Sequence, residues 1–270
     1  MIAAGIQRRV AAANSFDASR FLPFHCDGAR VGWVRRDLAA HLSPYPDVLS
    51  VTEGAVCMVE HAADAKARTA AMAHVASSLS ARGLLTQWRN ELYEIGAAEG
   101  DRPYFDIERA AVRFFGFASR AVHLNGLACE HGTSRMWIGR RSPVKAIDPG
   151  MYDNLMGGGV GRGIGIEQTL VKESWEEAGI PPELARRAVL TGTRFVQREV
   201  PDGLHVETLY MYDLELPVDF QPANQDGEVV EFRCLSFEEV MAELSGDAPY
   251  TVDAGLVAIE CLKRRGALSQ

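Results

Sequence analysis

Three glutamates, Glu173, Glu176 and Glu177, stand at i, i+3 and i+4 inside the stretch GGGVGRGIGIEQTLVKESWEEAGI, Gly157 to Ile180. On a helix that spacing selects one face, so the three carboxylates are expected to project into one small volume. Unpaired, such charges repel one another and destabilise the helix. A hard divalent cation, Mg²⁺ or Mn²⁺, resolves the conflict, because it takes carboxylate oxygens and keeps waters and phosphate oxygens as its other ligands. The glycines ahead of the helix, Gly158 and Gly159 among them, are expected to form a loop that adopts positive φ and lets backbone approach a phosphate. A loop feeding a helix N-terminus also favours anions. The chemistry indicated is metal-assisted attack of water on a diphosphate. The plainer alternative is a solvated acidic helix face behind a flexible loop.

Laid against the pattern G-x5-E-x7-R-E-U-x-E-E-x-G-U, with U apolar, the match opens at Gly158 and closes at Gly179-Ile180. The segment resembles the Nudix box. It departs from the pattern at Ile164, where the first Glu stands, at Lys172 for Arg, and at Ser174 for the apolar residue. These departures bear on metal count and rate. The resemblance implies that Glu173, Glu176 and Glu177 hold divalent ions, which acidify the attacking water and neutralise charge on the diphosphate. Lys172 then orients Glu173 by charge, without the bidentate fork of Arg. A further acid often follows the box in this superfamily. Glu228, in QDGEVVEF, sits where that residue is expected, with Glu231 as the alternate, and either serves equally well as a surface strand residue.

The basic residues Arg140, Arg141 and Lys145 lie directly upstream of the glycines and suit a substrate's terminal phosphate. An exposed, charged hairpin end is the competing explanation. Trp88, Tyr93 or Trp137 could wall a flat heterocycle, since aromatic faces supply apolar contact and attract cations; each could instead be core. The seven histidines, including His123 and His205, show no ligand spacing and are read as structural.

Local pattern supplies the elements that must position these groups. A first helix or arm is followed by a strand at Gly28 to Val34, a short helix ending near Pro44, and a strand around Ser50 to Glu60. A helix runs from about Ala62 to Arg82, stopped by Gly83, and Trp88 to Ile95 reads as a strand. From about Phe114 the strand candidates lengthen. FASRAVHLNGLACE and RMWIGRR form one expected hairpin, and RFVQREV and HVETLYMYDLEL another across Pro201-Asp202-Gly203. EVVEFRCL adds a strand, and SFEEVMAEL a helix in which Ser236 and Glu239 make a capping box. An amphipathic segment at about Asp253 to Arg265 closes the chain. This mixture fits an α+β class, a Nudix-type α/β/α sandwich with a mixed sheet, preceded by a small α/β domain. The expected division is 1–113 for the N-terminal domain, accessory or lining the substrate pocket, and 114–270 for the hydrolase domain.

The 270 residues, 47% hydrophobic and 24% charged, are those of an ordinary soluble globular chain. The net charge of −8 argues against non-specific nucleic-acid or anionic-membrane binding. A small anionic substrate then needs metal and nearby Arg or Lys. Five scattered cysteines without a CxxC pair read as reduced thiols with no zinc site, which places the chain in the cytoplasm. Two arginines and no acid before Asp17 give the N-terminus a faint transit-peptide character, for which a short helix is the better reading. No apolar stretch approaches the length of a bilayer span.

Several stretches resemble a narrower group, the Nudix proteins related to thiamin pyrophosphokinase, which carry an extra N-terminal domain. They are PFHCDGARVGWV (Pro23 to Val34), WRNELYEI, FFGFASRAVHLNGL (Phe114 to Leu127) and MWIGRRSPVKAIDPGMYDNLMGGGVGRG (Met136 to Gly163). Loss of the first box Glu is an expected variant there. The implied activity is removal of a phosphate from the diphosphate of thiamin or an oxidised analogue. A hydrolase of ADP-ribose or a dinucleotide is the second reading, and a non-catalytic diphosphate sensor the third, disfavoured by the intact glutamate trio. An isomerase on the same fold stays open. The expected partner is a small diphosphate, and a homodimer is allowed.

Overall fold

The computed structural model describes residues 2–59, 64–97, 100 and 102–268. Its first part comprises α1 (Ile2–Ala12), β1 (Phe21–Cys26), β2 (Ala29–Arg35), α2 (Arg36–Ala39), β3 (Leu49–Val51), β4 (Val56–Met58), α3 (Ala65–Ala81), β5 (Leu92–Ile95) and β6 (Phe105–Glu108). There follow β7 (Ala118–Glu130), β8 (Thr133–Arg141), β9 (Tyr152–Asp153), β10 (Met156–Gly159), α4 (Ile166–Ala178) and α5 (Pro182–Ala185). The chain ends with β11 (Val189–Val200), β12 (Gly203–Glu215), β13 (Val229–Ser236), α6 (Phe237–Ser245) and α7 (Val252–Arg264). Among the described residues no helix is long and apolar enough to cross a membrane.

The later strands form one sheet in the order β11-β12-β7-β8-β13, with β10 beside β7 and β9 beside β8. It is mixed: β12 and β7 run parallel, the other pairings antiparallel. Strand alternation sends Val122, Leu124, Tyr210 and Tyr212 to one face, where they pack with Leu170 of α4. Ala121, Leu209 and Met211 point to the other, against Leu256 and Val257 of α7. Because both faces are covered, β7 is buried over most of its length, as a central strand requires. The expected α/β/α sandwich with a mixed sheet is therefore present. Ser236 and Glu239 form the capping box read from the sequence, at 3.2 and 2.7 Å.

The N-terminal residues build a smaller sheet, β2-β1-β4-β3, covered by Met72, Val75, Ala76 and Leu79 of α3. Phe115 and Phe117 stack at 5.2 Å within this core, and Gly116 between them has φ 55°. The Trp33 backbone occupies the place of a Gly116 side chain. A β-carbon there would force the two segments apart. The first helix packs away from this sheet: Ile6 joins Val240 and Leu244 of α6, and the Arg9 guanidinium donates to the Leu244 and Ala248 carbonyls at 2.7 and 2.6 Å.

Three local expectations are corrected. Ser50 to Glu60 is not one strand but a hairpin of β3 and β4, because Thr52 Oγ1 accepts from the Ala55 N–H at 3.0 Å and turns the chain. Glu60, like positions 62 and 63 of the expected helix, lies outside the described residues. Of Trp88 to Ile95 only Leu92–Ile95 is strand, since Gln87 and Asn90 take φ of 69° and 57° and break the extended run. The glycines Gly157 to Gly159 are no loop. They form most of β10, paired antiparallel with Ala121 to His123 of β7.

Candidate active site

The site begins with α4. The Gly165 N–H at its start donates to the Gln168 side chain at 3.0 Å, and Gly179 ends it at φ 64°. Ser174, one departure from the box, is wholly buried in the helix seat, whereas Ile164 sits on the loop before α4, more than a third exposed.

The glutamates do not converge as one trio. Lys172 Nζ donates to Glu173 at 2.9 Å and to Glu176 at 2.6 Å. Glu177 turns inward, accepting from Lys145 Nζ at 3.0 Å and from the Gly157 N–H at 2.9 Å. Lys145 also bridges to Glu228, which carries the box onto β13's entry. Two ammonium groups thus stand where carboxylates repel, and this replaces the expectation of a single cluster. Burial raises Glu173 above the ordinary carboxylate range, against the pull of Lys172. Burial pushes Glu177 up to about 7, against the opposing charge of Lys145. Burial acts the same way on Glu228, but its hydrogen bond and charge pairing with Lys145 win and hold it below the usual range.

This donor set fits a hard divalent cation. Its acceptors are carboxylate oxygens, two of them already drawn to one point by the Lys172 ammonium, and Glu177 is a buried carboxyl whose ionised form gains from added positive charge.

The glycines of β10 are needed for packing. At Gly158 the space of a β-carbon is taken by the Glu173 side chain, at Gly159 by the Tyr93 hydroxyl, and at Gly157 His123 stands 3.1 Å away. Helix carboxylate and sheet can therefore close on each other only across glycine. Beside this floor opens a cavity walled by Lys145, Glu228, Arg141 and Arg89 at one end, by Tyr93 and Arg109 from the N-terminal part, and by His205, Glu207 and Asp253 at the other.

Of the basic candidates, Arg141 and Lys145 reach the cavity, the former bound to Asp153 at 2.7 Å. Arg140 does not. Strand alternation turns it outward to Glu231, 3.4 Å away, and Glu231 is accordingly a surface partner. Trp137 is buried in the core beneath α4. Trp88 is exposed and bonds Asn90 at 3.0 Å. Neither indole lines the cavity, which leaves Tyr93 of the three aromatic candidates. His123 and His205, read from the sequence as structural, are buried on the cavity wall. The pairing of His205 with Glu207, two apart on a strand, was legible as a shared face. Asp253 and Arg109 had no such local signal.

The family profile for the NUDIX domain matches residues 123–253, and that for a domain of unknown function, DUF4743, matches residues 4–119. Nudix hydrolase 24, chloroplastic, of Arabidopsis thaliana is 35% identical over 250 residues, covering 92% of this chain and 68% of the relative. Nudix hydrolase 20, chloroplastic, of the same plant is 33% identical over 258 residues, covering 91% and 68%. Among solved structures, DR0079 from Deinococcus radiodurans is 21% identical with a TM-score of 0.45, covering 62% of this chain and 97% of that one. Box helix, glycine strand and family match agree, and the chain belongs to the Nudix hydrolases, a family acting on diphosphate-containing substrates, here with an N-terminal DUF4743 domain.

Proposed function

We propose that the chain is a Mg²⁺- or Mn²⁺-dependent hydrolase that removes the terminal phosphate from thiamin diphosphate or an oxidised analogue, leaving the monophosphate. The observation that carries the hydrolytic part is the Lys145 bridge between Glu228 and buried Glu177, with Lys145 and Glu228 on the wall of a cavity floored by β10. Glu173, Glu176 and Glu177 are the residues to hold the metal, which when bound supplies charge neutralisation and a more acidic water. Glu228, on the cavity wall and held ionised by Lys145, accepts the proton of the attacking water. Arg141 and Lys145 orient the terminal phosphate from the same end.

The thiamin assignment is supported by the resemblance running through WRNELYEI and FFGFASRAVHLNGL. Tyr93, in the first of these, stands on the cavity wall with the Arg109 guanidinium 5.7 Å from its ring. In this reading residues 1–113 are an accessory domain that closes the pocket over the hydrolase domain, 114–270, with α1 lodged against the latter. Five free thiols support a reducing, cytoplasmic setting.

Phosphate release from the purified chain, with Mg²⁺ or Mn²⁺, across thiamin diphosphates, ADP-ribose and dinucleotides tests both parts. A higher kcat/KM for the thiamin compounds is expected. Preference for ADP-ribose or a dinucleotide overturns the substrate and keeps the chemistry, while metal-stimulated cleavage of none overturns the chemistry.

A further inference from the structure

The inner end of the cavity holds buried polar atoms that the chain itself does not satisfy. Strand β12 places His205 and Glu207 on one face, the parallel neighbour β7 brings Ser119 beside Glu207, and the first turn of α7 adds Asp253. Ser119 Oγ donates to Glu207 at 2.7 Å. His205 Nε2 lies 3.5 Å from Glu207 and 3.3 Å from Asp253 Oδ2, near enough to interact but poorly aligned for a hydrogen bond. His205 is 5% exposed, and its Nε2, Asp253 Oδ1 and the Nε of neighbouring Arg198 are all buried without a partner. Native structures seldom leave several such atoms together, because each unmet group forfeits its solvation on burial.

We propose that this end is a recognition subsite for a flat nitrogen heterocycle bearing an exocyclic amino group, carried by the diphosphate substrate; the proposal rests on the diphosphatase reading and extends it. The cavity lining carries both kinds of partner: Lys145, Arg141 and Arg89 for the diphosphate, and two carboxylates, Glu207 near the Arg109 guanidinium and Asp253 at 3.6 Å from Arg198. A molecule with phosphates at one end and hydrogen-bond donors at the other matches both. Glu207 and Asp253 Oδ1 accept from the amino group, and His205 Nε2 meets a ring nitrogen. Between these groups the wall is made by Tyr93 and His123, packed over Gly159 and Gly157, and a planar ring lies against these two flat side chains. The His-Glu-Asp grouping also resembles a metal site. Arg198 beside Asp253 weighs against it, since a resident guanidinium opposes a cation and accompanies a ligand that donates hydrogen bonds.

The test compares wild type with Glu207→Gln, Mg²⁺ present, on thiamin diphosphate, which carries an aminopyrimidine, and on isopentyl diphosphate, which has no ring. The ratio of kcat/KM for the two is expected to fall roughly tenfold or more, through KM, because the exchange weakens a charged hydrogen bond. An unchanged ratio overturns the subsite. Should Glu207→Gln not fold, Ser119→Ala, which loses only the hydroxyl holding Glu207, carries the same comparison. If wild type cleaves neither compound, the diphosphatase reading has failed, and saturation-transfer NMR with 4-aminopyrimidine still decides the subsite. Binding that Glu207→Gln abolishes supports it, and absent or equal binding overturns it. Stoichiometric Zn²⁺ uptake by equilibrium dialysis, lost in His205→Ala and competing with 4-aminopyrimidine, overturns it in favour of a metal site.

Discussion

Two acidic regions flank the cavity, the α4 glutamates behind Lys145 and Glu228 and the group on its wall around Glu207, and they are held in opposite ways. The α4 rim, Glu173, Glu176 and Glu177, comes from five consecutive residues and is neutralised from outside by Lys172 and Lys145. The inner group, His205, Glu207 and Asp253, comes from β12 and α7, and ends with unpartnered atoms. A rim whose charges already have exchangeable partners suits an ion that comes and goes with substrate. An interior with unmet donors and acceptors suits one shape of ligand. Under the proposals above, like charge in two places serves two tasks, reactivity at the rim and selection inside.

The strongest way to break this division is at the rim. Glu176→Gln or Glu177→Gln is expected to lower metal-dependent kcat by roughly 10²–10³ while the fold persists, each removing a charged oxygen from the ion's ligands. Near-normal turnover of both variants at saturating Mg²⁺ would assign catalysis elsewhere.

The tryptophans sharpen the boundary of the inner region. Trp137→Ala is expected to cost about 3–5 kcal/mol of stability, because it opens a cavity in the core under α4. Trp88→Ala, at an exposed site off the cavity, is expected to stay within about 0.5 kcal/mol and to leave KM unchanged. Denaturant melts and Michaelis curves of the two read this out; a KM rise in Trp88→Ala would return that indole to the site.

A smaller effect follows from Glu177. Its pKa of about 7 is raised above the ordinary carboxylate value by burial, so the folded state binds more protons than the unfolded between the two. That contribution is present at low pH and is lost as pH rises to about 7. Metal-free wild type is therefore expected to lose Tm relative to Glu177→Gln between pH 5 and pH 8. A difference independent of pH would mean that Lys145 holds the carboxylate ionised throughout.

The smallest change is expected at Ile164. Because that side chain sits on an exposed loop, Ile164→Glu should shift metal affinity modestly and should not be required for activity. Wild type inert to every diphosphate, with Ile164→Glu active, would favour a ligand-sensing role over hydrolysis.

That the three glutamates stand on one helix at i, i+3, i+4 was legible from spacing alone, but that Glu177 turns inward to Lys145 while Glu173 and Glu176 share Lys172 was not. The same local rules yielded α6 with its capping box and the β7–β8 and β11–β12 hairpins. They failed at Trp88, where positive φ at Gln87 and Asn90 ended an apparently extended run, and at Gly157 to Gly159, where glycine marked tight packing in a strand. Strand alternation separated Arg141 from Arg140, yet which of the two faced the cavity depended on the sheet that β8 joined.

What the sequence determined by itself was the Nudix box of one helix and the mixed α+β class, since both rest on spacings within a few residues. Only tertiary structure decided that Lys172 and Lys145 divide the glutamates, and that His205, Glu207 and Asp253 share one buried corner. Charges on different elements interact through distance and desolvation, and both are set by how the sheet and α7 pack.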